Sequence, residues 1–100
     1  MASQMLRDGF YKYVRLNTDV YLIVGRLDGI SHQELYENFR TAFGENQNIP
    51  VAVSAGKFIV DGGVVYQIAA GSDTLEMVYD TADGPFIAQF FKLEYGGMAE

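Results

Sequence analysis

The run ISHQELYENFRTAFG, residues 30–44, decides the fold class. Ser31 suits a helix N-cap, since its hydroxyl can accept from a backbone amide that a helix start leaves unpaired, and Glu34 stands three residues on to complete a capping box. Ile30 and Leu35 are spaced as a hydrophobic staple. Leu35, Tyr36, Phe39, Ala42 and Phe43 recur at helical spacing on one stripe, with Gln33, Glu37, Asn38, Arg40 and Thr41 on the other side. Gly44 follows where a left-handed C′ residue is favoured. The spacing predicts a helix from Ser31 to Phe43 with one apolar face that needs a partner.

On both sides of this helix the sequence reads as strands. Phe10 to Leu16 and Val20 to Leu27 are rich in strand formers, and Asn17-Thr18-Asp19 between them reads as the turn of a hairpin. Met5, Leu6, Phe10, Tyr13 and Val14 also fit a helical stripe, but Gly9 interrupts it. Downstream, the polar connection Glu45 to Pro50 leads to a short strand, Val51 to Val53, ending near Ser54 to Gly56. Lys57 to Val60 and Val64 to Ala69 flank Asp61-Gly62-Gly63, whose glycines supply the positive φ of a tight hairpin. Gly71-Ser72-Asp73 is a further turn, and Thr74 to Asp80 alternates with Leu75, Met77 and Tyr79 on one face. Thr81 to Pro85 reads as a loop before a long last strand, Phe86 to Tyr95, apolar on both faces.

The expected fold is therefore α+β, one amphipathic helix packed on a curved, mostly antiparallel sheet in the order ββαβββββ. Residues 1–100 form a single domain, with 1–8 and 96–100 as flexible ends. The two-sided apolar character of Val20 to Val24 and of the last strand calls for cover that one helix does not supply, and a homo-oligomer is the expected answer.

Composition narrows the function classes. Nearly half of the 100 residues are hydrophobic and 20% are charged, the balance of a chain that folds. There is no cysteine, which removes disulfides, thiolate nucleophiles and cysteine-bound zinc, and fits a cytoplasmic setting. No apolar run approaches the length of a signal peptide or a membrane span, so membrane insertion is not expected. The net charge of −6 is unevenly placed: residues 51–100 carry seven acids and only Lys57 and Lys92 as bases. Nucleic-acid binding, which rests on neutralising phosphates, is disfavoured, although Lys12, Arg15 and Arg26 are candidates for a small basic patch.

No chemical motif survives inspection. His32 is the only imidazole, with Ser31, Asp28 and Glu34 near it in sequence, yet the cap accounts for Ser31 and Glu34. His32 is then expected on the solvent side of the helix. His32 with Asp28 or Glu34 falls short of a metal ligand set. Asp80-Thr81-Ala82-Asp83-Gly84 resembles the start of a calcium loop but lacks the downstream bidentate glutamate. Gly56-Lys57 lacks the upstream glycine and the following Ser or Thr of a phosphate loop. No catalytic residue, metal or cofactor is assigned.

The expected function is that of a non-catalytic, small acidic interaction protein, an adaptor, inhibitor or assembly subunit. It would bind a protein partner with a basic surface through an acidic and aromatic sheet surface formed by Asp61, Glu76, Asp80, Asp83, Tyr11 and Tyr13. The alternative is a small-molecule binder or cofactor-free enzyme with a pocket between helix and sheet, using Tyr together with Asp28, Asp61, Glu76 or Asp80.

Overall fold

A computed structural model describes residues 6–44, 48–68 and 80–99. Strand β1, Gly9–Leu16, pairs antiparallel with β2, Leu22–Arg26, on one side and with β3, Ala52–Asp61, on the other. Helix α1, His32–Phe43, lies between β2 and β3 in the chain. Strand β4, Val64–Ile68, closes the expected hairpin on β3, with Gly62 at φ 62° and Gly63 at φ 82° in its turn. Helix α2, Asp83–Phe90, then leads to β5, Glu94–Ala99, which pairs parallel with β4. The sheet order is β2-β1-β3-β4-β5, so the fold is α+β on a mostly antiparallel sheet.

The two helices cover opposite faces. Period-two alternation sends Tyr13 and Val14 to different sides of β1. Tyr13 joins Phe58, Val60, Val65 and the α2 residues Ile87, Ala88 and Phe91 in one core cluster. Val14, Leu16 and Ala55 form the other cluster, against Tyr36 and Phe39 of α1. The two-sided apolar reading of β2 is explained within the chain, because Leu22 and Val24 enter the first cluster and Ile23 the second.

Helix α1 begins and ends as its sequence predicts. Ser31 Oγ accepts from the Glu34 amide at 3.1 Å, Glu34 Oε1 accepts from the Ser31 amide at 3.0 Å, and the Gly44 amide donates to the Arg40 carbonyl. Its last turn meets Tyr21, whose ring is set edge-on to Phe39 and Phe43. Gly25 on β2 lies beneath Leu35, where a Cβ would stand only 2.8 Å from Leu35 Cδ2.

Three expectations are corrected. Strand β3 runs unbroken from Ala52 to Asp61, where a break near Ser54 to Gly56 was expected; those residues pair with Arg15, Val14 and Tyr13. Gly56 keeps its place in the strand because the Tyr13 ring lies across it, its hydroxyl 3.0 Å from where a Cβ would be. Phe86 to Phe90 is helix and not strand. A short, largely apolar run does not distinguish a buried helix from a buried strand, and Pro85 in the first turn needs no amide partner there. Among the described residues the element order is thus ββαββαβ, with two helices, and residues 96–99 lie within β5 where a loose end was expected. The expected strand at Thr74 to Asp80 lies, apart from Asp80, outside the described residues. No helix among the described residues is long and apolar enough to cross a membrane.

Candidate functional site

Two places concentrate polar chemistry, one on each face of the sheet. On the α2 face, Asp83 at the first position of α2 is fully buried. Tyr13 Oη donates to its Oδ2 at 2.6 Å, and Arg15 Nη1 donates to its Oδ1 at 3.0 Å with the Arg15 side chain 25% exposed. The Arg15 guanidinium also lies 4.0 Å over the ring centroid of Phe86, one turn along α2. Nearby, Gln67 Nε2 donates to the Asp80 carbonyl at 2.8 Å, and Tyr95 Oη donates to Gln67 Oε1 at 3.3 Å. A buried carboxylate is stable only when paired and hydrogen-bonded, and Asp83 is both. This network fastens the start of α2 to β1 and β4. Both carboxylate oxygens of Asp83 are thus engaged within the fold, Oδ2 by Tyr13 and Oδ1 by Arg15.

His32 is buried, contrary to its expected solvent position, with 5% of its surface exposed. Its Nε2 lies 2.8 Å from the Gly56 carbonyl, which makes that nitrogen the donor. Burial holds its pKa below 6.5, and the ammonium groups of Lys12 and Lys57 push the same way, against the opposing effect of the Gly56 hydrogen bond. The imidazole is a neutral tie between α1 and β3. Ser31 is engaged as the cap, and Asp28 faces Arg26 at 3.8 Å on the surface, so the four neighbours form no catalytic group. Among the described residues no cluster of His, Asp and Glu could hold a metal ion.

The second place is the part of the α1 face that α1 does not reach. The helix packs mainly on β1 and β2 and reaches β3 through His32, and the face continues over the rest of β3 and over β4 and β5. Register and alternation order it in rows across the strands. The central row is Phe10, Ile59 and Tyr66, with Phe10 56% exposed and the other two half-buried. On the side toward α1 lies the row Lys12, Lys57 and Ile68. On the far side lies the row Asp61, Val64 and Glu94, with Asp8 beside it, since Asp8 Oδ1 accepts from the Gly62 amide at 3.1 Å. The Tyr66 ring reaches over Gly96 of β5 beside Val64.

Lys12 and Lys57 are direct cross-strand neighbours, an arrangement that costs stability when both are charged. The described residues contain two ion pairs, Arg15 with Asp83 and Arg26 with Asp28, and neither lysine, Asp61 nor Glu94 enters one. The face thus presents unneutralised charge of opposite sign on either side of an apolar and aromatic row.

The five described residues among the six expected to bind do not come together. Asp83 and Tyr13 are buried against each other, which corrects their assignment to an exposed surface. Tyr11 is on the α2 face, stacked on Phe58 at 5.3 Å, its hydroxyl donating to the Arg7 carbonyl at 2.7 Å. There it lines an open groove of about 320 Å³ with Leu22, Val24, Arg26 and Phe90. Asp80 is exposed in the turn before α2, its Oδ1 accepting from the Ala82 amide at 2.9 Å. Glu76 lies outside the described residues. Of the five described, only Asp61 belongs to the open face, and the basic patch of Lys12, Arg15 and Arg26 is likewise divided between the two faces. Phe10, Lys12, Lys57, Ile59 and Tyr66 were missed as a group. Their signal was present in the alternation of residues 10–13 and 57–60, but it has meaning only once β1 and β3 are aligned.

No protein-family model matches the chain, and no curated protein or solved structure matches it either.

Proposed function

We propose that this domain is a non-catalytic interaction protein, an adaptor, inhibitor or assembly subunit, that binds a macromolecule through the open sheet face centred on Phe10, Ile59 and Tyr66. The observation that supports it is the exposed Phe10 in the central row of that face, flanked by a like-charged Lys12 and Lys57 pair that no described residue neutralises. An apolar centre with a charged rim is the anatomy of a protein-binding surface. A basic protein surface would meet the row of Asp61 and Glu94, and the overall charge of −6 argues against nucleic acid as the ligand. A cysteine-free chain is suited to work in the cytoplasm.

The test is affinity capture from source lysate over a range of salt, with the wild type and with Phe10→Ser. A macromolecule retained by the wild type and released by the variant is expected. Equal retention by both, or none by either, removes this reading.

A further inference from the structure

The geometry points to a second copy of this chain as the occupant of the open face, in a two-fold symmetric, sheet-on-sheet dimer. This rests on the reading of that face as a binding surface and names its partner.

Along β1 the residues on this face are Lys12 and Phe10, with Asp8 just beyond the strand; along β3 they are Lys57, Ile59 and Asp61. Both strands therefore carry the sequence positive, apolar, negative in the same spatial direction. On β4 the same three rows hold Ile68, Tyr66 and Val64, apolar throughout. Such a pattern is complementary to itself after one operation. A two-fold axis lying along the central row, between two stacked sheets, exchanges the outer rows of the two copies and leaves the central row opposite its own image.

In that arrangement Lys57 of each copy faces Asp61 of the other, and Lys12 faces the Asp8 region. Ile68 faces Val64, and Phe10, Ile59 and Tyr66 meet their counterparts. Isologous contacts of this kind are how most homodimers close, because the symmetry satisfies every complementary pair twice. The same operation resolves the Lys12 and Lys57 repulsion, since each ammonium gains a carboxylate across the interface. His32 on Gly56 and Leu35 over Gly25, the β2 neighbour of Lys12, set the start of α1 at the β2 end of the lysine row, so in the dimer each α1 stands at the β2 edge of the contact, opposite the acidic-row end of the other copy.

The patch is small. Four strands at about 4.8 Å and three rows about 6.8 Å apart give a contact roughly 14 Å on a side. That is about 400 Å² over both copies, well below the roughly 1,200 Å² of a standard specific interface, so the dimer is weak and depends on concentration and salt.

Sedimentation at low salt, from micromolar to millimolar protein, tests this with charge-swap variants. The wild type is expected to dimerise reversibly, and added salt to weaken the dimer. Lys57→Asp and Asp61→Lys, each alone, place like charges opposite one another twice per dimer and are expected to raise Kd on the order of tenfold or more. Mixed in equal amounts, the two variants are expected to recover a heterodimer of wild-type strength, as is the chain carrying both changes. Phe10→Ser, at a position exposed in the monomer, is expected to abolish the dimer without touching charge. Circular dichroism confirms that each variant is folded, and Phe10→Ser decides the matter if a charge variant is not.

A wild type that stays monomeric throughout, a dimer that Phe10→Ser leaves intact, or folded single variants whose mixture does not recover would each overturn the proposal. A monomeric wild type that still captures a lysate macromolecule through Phe10 overturns self-association and leaves the binding reading standing. A monomer without Phe10-dependent capture removes both.

Discussion

On β1, residues one position out of phase meet opposite fates. Tyr13 and Arg15 point to the face that α2 covers, where Asp83 takes a hydrogen bond from each. Phe10 and Lys12 point to the face where α1 stops short, and there the aromatic ring stays exposed and the ammonium faces another ammonium. The difference follows from solvent. Under α2 a bare charge would lose its hydration, so the fold supplies a partner for it. At the open face water still screens Lys12 from Lys57, so the repulsion is small, and no described residue forms an ion pair with either ammonium.

That contrast can be broken most severely from the covered side. Asp83→Ala removes the buried carboxylate to which Tyr13 and Arg15 both donate, and is expected to cost about 3–5 kcal/mol in urea unfolding. If the loss were below about 1 kcal/mol, the network would not be what holds α2 to the sheet. Gly84→Ala examines the same seam by volume. Its Cβ would stand 2.6 Å from Gln67 Oε1 and against the Tyr95 ring, so a loss of about 1–3 kcal/mol is expected from thermal melts.

On the α1 side the effects are smaller. Ser31→Ala removes the capping box and should lower stability by about 1 kcal/mol, while Ser31→Asp should restore most of it. His32 adds a pH dependence whose sign is fixed by its lowered pKa. Above 6.5 the imidazole is neutral in both states and costs nothing. As the pH falls below 6.5, the unfolded chain takes up the proton first, and stability declines until the native imidazole also protonates. Denaturant titrations between pH 7.5 and 4.5 should show this decline in the wild type, and its His32 share should be missing in His32→Gln. The smallest expected effect is that of Lys57→Ala. Measured on dilute, monomeric protein, it should change stability by no more than about 0.5 kcal/mol, and in the stabilising direction, because it relieves Lys12. A clear loss would mean that Lys57 already has a partner within the chain.

Local sequence determined the elements whose signals close over a few residues. The cap of Ser31 and Glu34, the stripe from Leu35 to Phe43, the β1 and β2 hairpin and the Gly62-Gly63 turn each depend on spacings of two to four positions, and each is present in the structure, with Ala42 of the stripe exposed. Helix α2 escaped because Phe86 to Phe91 carries a single polar residue, Gln89, among five apolar ones, too few to show a period. The charge of Asp83 was legible, but its burial was not, since that depends on Arg15 and Tyr13 nearly seventy positions away. Tertiary structure alone decided which face each strand residue takes, and with it that Lys12 lies beside Lys57, Phe10 beside Ile59, and Asp61 on the opposite side of that row from both lysines. A strand residue's surroundings are set by the register of its neighbours, and register is a property of chain segments that meet only after folding.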